Sequence, residues 1–231
     1  MAKRVFTAKE LHEMGERSID LLNRAIDSGD KERAKEMANR MLGECTLLHD
    51  LYLDWTSALM SYIYNNYGED ALYQAMRKVF EATPLGDAGK MDFRSKVQMV
   101  ATALRGHMVP IKIEEDDEKV RLTMQPCGSG EKLVQTGRYK PPYDFTMIQK
   151  PHPMTWGMTD FPVYCTHTPV VEILSIEASG YPVSPAFPAK KVARGACTHC
   201  VYKNVDDIPE EVYTRVGKKK PGVKKIRKVK Q

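Results

Sequence analysis

The tripeptide Cys-Thr-His occurs twice, at Cys165–His167 and at Cys197–His199, and Cys200 closes the second copy. Cysteine and histidine are scarce, five and six in 231 residues, yet five of these eleven fall between Cys165 and Cys200. Thiolate and imidazole are the donors that borderline metal ions prefer. If "PVYCTH" is extended, Cys165 and His167 lie on one face, because strand side chains alternate. Cys197 and Cys200 have the two-residue gap by which two thiolates grip one ion from a tight turn. Together the four form a Cys3His set suited to zinc, with iron as the alternative and His199 close beside it. Four closed ligands would make the ion structural, and a water in one position would make it catalytic. Buried free cysteines are the competing explanation, since free Cys is among the most buried residue types.

A second cluster lies upstream. In "QPCGSGEKL", Cys127 ends an expected strand, and Gly128-Ser129-Gly130 can turn sharply and offer backbone N–H groups to an anion such as a substrate carboxylate. A thiol so placed is a candidate nucleophile or a further metal ligand. His107 in "LRGHMVP" and His152, held between two prolines in "KPHPMTW", are candidate proton carriers. Trp156, Tyr143, Phe145 and Phe161 either wall an apolar pocket or pack the core. Asp50 and Asp54 in "HDLYLDW" are four apart and share a helix face. With Ser57 and Ser61 they make a polar stripe that either lines a substrate cavity or faces solvent. No Glu-x-x-His pair occurs, so a di-iron bundle has no support.

The elements that must carry these groups begin with helices. "TAKE" is a capping box at Thr7 and Glu10, opening a helix over 7–28. A long helix over 31–67 follows, with Met37, Met41, Leu48, Leu51, Trp55, Leu59 and Tyr62 at three- and four-residue steps. From Leu47 its apolar surface spreads over most of the circumference, the mark of a buried helix. Gly68 stops it, a shorter helix over 69–82 ends at Thr83-Pro84, and Asp92 caps a fourth over 92–105. The period then changes to two: Ile111/Ile113 and Val120/Leu122/Met124 flank an acidic turn, giving a β-hairpin. Residues 137–162 are irregular, as in a binding loop or lid. Thr168-Pro169 opens a helix that Gly180 closes. Strands near 182–187 and 197–203 and a short helix over 209–216 complete the chain. Helices followed by strands predict an α+β fold, with N-terminal helices packed on a small antiparallel sheet and one helix crossing it. Residues 1–106 form the helical region, 107–216 the metal- or ligand-binding region of the same domain, and 217–231 a disordered basic tail.

Bulk composition narrows the classes. The hydrophobic fraction, 42%, is enough for a core, and no apolar run reaches the ~20 residues of a membrane span. The N-terminus lacks the apolar stretch of a secretory signal. An odd number of cysteines implies no disulfide framework, which favours a reduced, cytoplasmic setting. The formal charge of +5 comes from "GKKKPGVKKIRKVKQ", with eight Lys/Arg and no acid; without it 27 basic residues face 30 acidic ones. Such a tail can grip nucleic acid weakly, but no aromatic interleaves it for stacking. The expected partner is a small molecule; a homo-oligomer is open.

The C-terminal half also resembles a known type. Cys165 opens a helix (Pro169–Ser179), Gly180-Tyr181-Pro182 leads to a strand, and Gly195-x-Cys197 precedes Cys200 and "VYK". This order, over residues 160–203, is similar to the 4-vinyl-reductase-type domain and more loosely to L-2-amino-thiazoline-4-carboxylic acid hydrolase-like proteins. The resemblance implies a small hydrophobic ligand and a sensor or accessory role in the first case, and small-molecule hydrolysis in the second. It also implies Cys165, Cys197 and Cys200 as metal ligands. The chain departs from the vinyl-reductase pattern in the short gap between its last two cysteines and in the accompanying histidines, which leaves the ligand set open. The expected function is a zinc- or iron-dependent hydrolase of a small organic molecule, the alternative a ligand sensor with a structural zinc.

Overall fold

The structure, a computed structural model, describes residues 5–81 and 85–222. The chain divides into two compact units, one up to Tyr52 and one from Leu53. The division falls inside a long helix, not near residue 106.

The first unit is helical. Thr7 and Glu10 form the expected capping box at the start of α1 (Ala8–Gly15). The single helix expected over 7–28 is broken: Glu16 and Arg17 are extended, and α2 (Ser18–Asp27) starts afresh. Leu21 and Ala25 of α2 are buried, as is Met37 of α3 (Lys31–Glu81). Gly68 interrupts α3 at φ +84°, a left-handed position that costs glycine least. The sequence placed a stop at that residue, and α3 is in effect two helices meeting there.

In the second unit α3 presents Leu53, Ser57, Met60 and Ser61 to the interior, while Trp55, Leu59 and Tyr62 are exposed. The helix is therefore buried on one face only, not all round. After α4 (Leu85–Lys90), α5 (Phe93–Arg105) is capped by Asp92, whose carboxylate accepts from Ser95 N–H at 2.9 Å. The hairpin is β1 (Ile111–Glu115) and β2 (Lys119–Met124), followed by α6 (Gly130–Gln135), a helix that the sequence did not suggest. The irregular segment holds a small ladder, β3 (Met147–Ile148) with β4 (Phe161–Pro162). Then come α7 (His167–Ser179), β5 (Ala186–Pro188), β6 (Cys197–Tyr202) and α8 (Glu210–Thr214).

The class is α+β. The main sheet is antiparallel, in the order β1-β2-β6-β5. Its register sets Met124 beside Cys197, Leu122 beside His199 and Val120 beside Val201. These positions alternate with Thr123/Thr198 and Arg121/Cys200, so the two sets face opposite sides. On the first side Leu122, Met124 and Val201 pack on Val100 and Leu104 of α5. A larger core joins Met60 and Leu72 of α3, Val170 and Ile173 of α7, and Val212 and Tyr213 of α8. Among the described residues no helix is long and apolar enough to cross a membrane. The basic tail is partly tied down. Lys218 pairs with Glu177, and Lys220 donates to the carbonyls of Asp206 and Ile208. Thr83, Pro84 and residues 223–231 lie outside the described residues.

Candidate active site

An apolar cavity of about 340 Å³ opens among the apolar side of the sheet, α5, α7 and the turn that precedes α6. That volume is in the range of small-ligand pockets. Both Cys-Thr-His copies reach it, by different routes. Cys197 and His199 project from β6 on the side facing α5, two apart and therefore on one face. Cys165 sits in a 3-10 turn, Val163–Thr166, and His167 begins α7. The extended conformation expected for "PVYCTH" is absent, yet helical geometry still brings both side chains to the cavity.

The strand that aims Cys197 inward sends Cys200 away. Cys200 pairs across the sheet with Arg121 and is buried on the opposite side, so the turn-borne Cys-x-x-Cys pair does not form. Cys127 takes its place: it lies three residues beyond β2, not at the strand's end as expected, and lines the cavity. Cys127, Cys165 and Cys197 are near enough that each charge would disfavour the next. Burial, and then these neighbours, push the Cys165 thiol well up. Burial and then Cys127 push Cys197 up to about 12. Both are neutral thiols at neutral pH. Among the described residues no three His, Cys, Asp or Glu side chains converge closely enough to hold one metal ion.

The inner histidines are neutral too. Burial and the neighbouring His167 push His199 down to about 4, and burial lowers His167. His167 Nδ1 is 2.6 Å from the Tyr164 carbonyl, a contact only an N–H can make favourably, so Nε2 is the acceptor, 3.3 Å from Thr168 Oγ1. Cys197 Sγ lies 3.9 Å from His199 Nε2.

Cys127 and His107 form a different pair. Both are half-buried and follow directly on exposed chain at Gln125-Pro126 and Gly106. His107 Nδ1 is 2.7 Å from Ser129 Oγ and 4.0 Å from Cys127 Sγ. Gly128 makes this approach possible, because a Cβ there would lie 1.8 Å from the His107 carbonyl oxygen. Gly130 does the same for Cys165, whose sulfur would be 2.6 Å from an added Cβ. One N–H at the start of the turn is already taken: that of Cys127 donates to Glu131 Oε2 at 2.9 Å.

The remaining candidates separate. His152 does not line the cavity: its Nδ1 accepts from Met154 N–H, capping a short 3-10 turn, and its ring packs edge-on to Tyr73. Asp54 pairs with Arg138 at 2.8 Å and Asp50 lies 3.1 Å from His49; neither carboxylate lines the cavity. Trp156 does line it, and its Nε1 donates to Glu172 Oε2 at 2.8 Å. Glu172, the buried acid of α7, also accepts from Arg215 and from Ala186 N–H, both at 2.7 Å on Oε1. Burial raises its pKa against the pull of Arg215. Nothing in the sequence marked Glu172 or Arg215, since they are 43 residues apart and belong to no motif. Ser184 Oγ, also on a wall residue, is buried with no hydrogen-bond partner among the described residues.

The fold and this cavity define a class in outline: an α+β protein with a thiol- and imidazole-lined pocket of small-molecule size. Compared with protein-family models, curated proteins and solved structures, the chain matches none.

Proposed function

We propose that the cavity is the active site of a thiol-dependent hydrolase for a small, uncharged, mainly apolar molecule, with Cys127 as nucleophile and His107 as proton carrier. The observation that carries this reading is the half-buried Cys127–His107 pair on an apolar cavity of about 340 Å³. The separation of 4.0 Å is that of a resting pair, which tightens when substrate enters. No lysine or arginine stands on the described wall, and Glu131 and Glu172 are satisfied by the chain's own donors. An uncharged ligand therefore suits it better than an anion. The Ser184 hydroxyl, with no hydrogen-bond partner among the described residues, supplies a polar contact inside.

The chemistry is acyl transfer to water. His107 takes the Cys127 S–H proton as sulfur attacks the carbonyl carbon. It returns that proton to the leaving group as the scissile bond breaks. Water, losing a proton to His107, then cleaves the thioester, and the proton returns to Sγ. A zinc or iron ion is the second reading, favoured by the mutual proximity of Cys127, Cys165 and Cys197. It requires these side chains to draw together around the ion, so the nucleophile reading is preferred.

p-Nitrophenyl acetate, a small neutral acyl donor, tests the proposal. One acetyl group per chain, mapped to Cys127 by mass spectrometry and lost in Cys127→Ala and in His107→Ala, is the expected result. His152→Ala should leave acylation unchanged. A neutral naphthylamine fluorophore should compete with it. Binding of that fluorophore with no acylation above the Cys127→Ala rate would replace the enzyme with a binding protein.

A further inference from the structure

The two edges of the main sheet differ. Along an edge strand the main-chain groups point alternately to the neighbouring strand and outward. On β5, Cys200 N–H donates to the Pro185 carbonyl and Ala189 N–H to that of Ala196, so Ala186 and Pro188 are the outward residues. The chain satisfies that edge itself. Ala186 N–H donates to Glu172 Oε1 and its carbonyl accepts from Arg215 Nη2, each at 2.7 Å. Pro188 has no N–H. The other edge is β1. Asp116 N–H donates to the Lys119 carbonyl at 3.0 Å. The alternation from there makes Lys112 and Glu114 the residues bonded to β2 and turns Ile111, Ile113 and Glu115 outward. Among the described residues no group bonds the outward main-chain groups of these three. Lys112, Ile113, Glu114 and Glu115 are exposed, Ile113 at 49%. A bare strand edge of this kind is a template for another strand.

We propose that β1 pairs, antiparallel and about a two-fold axis at Ile113, with β1 of a second copy of this chain. The strand's own sequence, Ile-Lys-Ile-Glu-Glu, selects that occupant and that register. Outward residues then face outward residues. Ile113 meets Ile113 of the second copy and Ile111 meets its Glu115, each pair exchanging two main-chain hydrogen bonds. Between them Lys112 lies opposite Glu114 of the second copy, and Glu114 opposite its Lys112. These are the positions without main-chain bonds, where side chains approach most closely and opposite charges stabilise the pairing. In the single chain Lys112 and Glu114 pair with each other at 2.8 Å, with side chains 70% and 45% exposed. Other axes match the charges less well. One at Lys112 or at Glu114 sets like charges face to face. One at Glu115 sets that acid on itself and Glu114 on Asp116. One at Ile111 sets Lys112 on Pro110 and Glu114 on Met108, where the chain leaves the extended region at φ +58°. At Ile113 a second copy matches both charges at once, by symmetry.

Sedimentation of the full chain over a concentration series tests the pairing. The expected mass rises with concentration from 26.2 kDa toward twice that value. Lys112→Glu sets acid against acid at two places and should weaken association at least about tenfold. Lys112→Glu/Glu114→Lys puts opposite charges back at both places and should restore it. Both side chains are exposed, so circular dichroism should show each variant folded. Hydrogen exchange reads the register. The amides of Ile111, Ile113 and Glu115 should slow as the mass doubles, while those of Lys112 and Glu114, already bonded to β2, change little. A chain of 26.2 kDa at every concentration, or a Lys112→Glu dimer as tight as the unsubstituted one, overturns the interface. A double variant no tighter than Lys112→Glu, or an Ile113 amide whose exchange ignores the doubling of mass, overturns the register.

Discussion

Replacing Arg215 with methionine removes a charge from the interior and leaves its partner behind. The guanidinium lies over the Trp156 and Phe187 rings, 4.8 and 5.4 Å from their centroids. Its Nη2 donates to Glu172 Oε1 and to the Ala186 carbonyl, each at 2.7 Å. Glu172 is only 2% exposed. Methionine preserves most of the apolar contact with both rings, so the change isolates the ionic part. Stranding one member of a buried pair costs about 3–5 kcal/mol, a large fraction of the ~5–15 kcal/mol that holds a domain together. Glu172→Gln in the same chain should restore part of the loss, since it removes the stranded charge and its one carbonyl oxygen can still accept from either Trp156 Nε1 or Ala186 N–H. The sign of the pH dependence follows from the raised pKa of Glu172. An acid whose folded pKa lies above its unfolded value favours the fold when protonated, and that advantage fades as pH rises through the folded pKa. Without the Arg215 cation the pKa rises further, so the deficit of Arg215→Met should be largest at neutral pH and shrink toward pH 5. Urea unfolding at both pH values, read from midpoints at constant slope, measures this. A deficit below about 1 kcal/mol at neutral pH, or a double variant no more stable than Arg215→Met alone, would refute the reasoning.

Two further outcomes follow from the cavity. Gly130→Ala drives a methyl to 2.6 Å from Cys165 Sγ and should cost about 1–3 kcal/mol; adding Cys165→Ala should recover much of it, and equal losses in the single and double variants would place the strain elsewhere. His167 and His199 are both held below their ordinary pKa by burial. Their contribution to stability is present above the unfolded histidine value and is lost as pH falls toward the folded values, near 4 for His199. Unfolding near pH 5 should therefore take up close to one proton at His199, about 1.4 kcal/mol per pH unit, with uptake of the same sign at His167; His199→Gln should reduce the total by about one, as pH-dependent urea midpoints would show.

Much of the local structure was legible in the residues. The Thr7–Glu10 capping box, the break at Gly68, the Asp92 cap and the two-residue period of the hairpin are decided by neighbours in sequence, and each stands where expected. The break at Glu16–Arg17 and helix α6 carried no comparable signal. The long apolar helix shows where periodicity stops: it records apolar residues around most of α3 but not that the interior covers only the face of Leu53, Ser57, Met60 and Ser61.

The sequence by itself determined that this is an α+β chain with its thiols and imidazoles concentrated in one half. It also put Cys165, His167, Cys197, His199, Cys127 and His107 among the groups able to do chemistry. Only the tertiary structure decided which of them share a space. Side chains alternate along a strand, so placing "CTHC" in β6 rather than in a turn turned Cys197 and His199 toward α5 and Cys200 to the other side. The same packing took His152, Asp50 and Asp54 out of the cavity and brought Glu172 and Arg215 together from 43 residues apart. Spacing along a chain fixes direction only within one element. Convergence between elements depends on how their apolar faces close on one another, and that is a property of the packed whole.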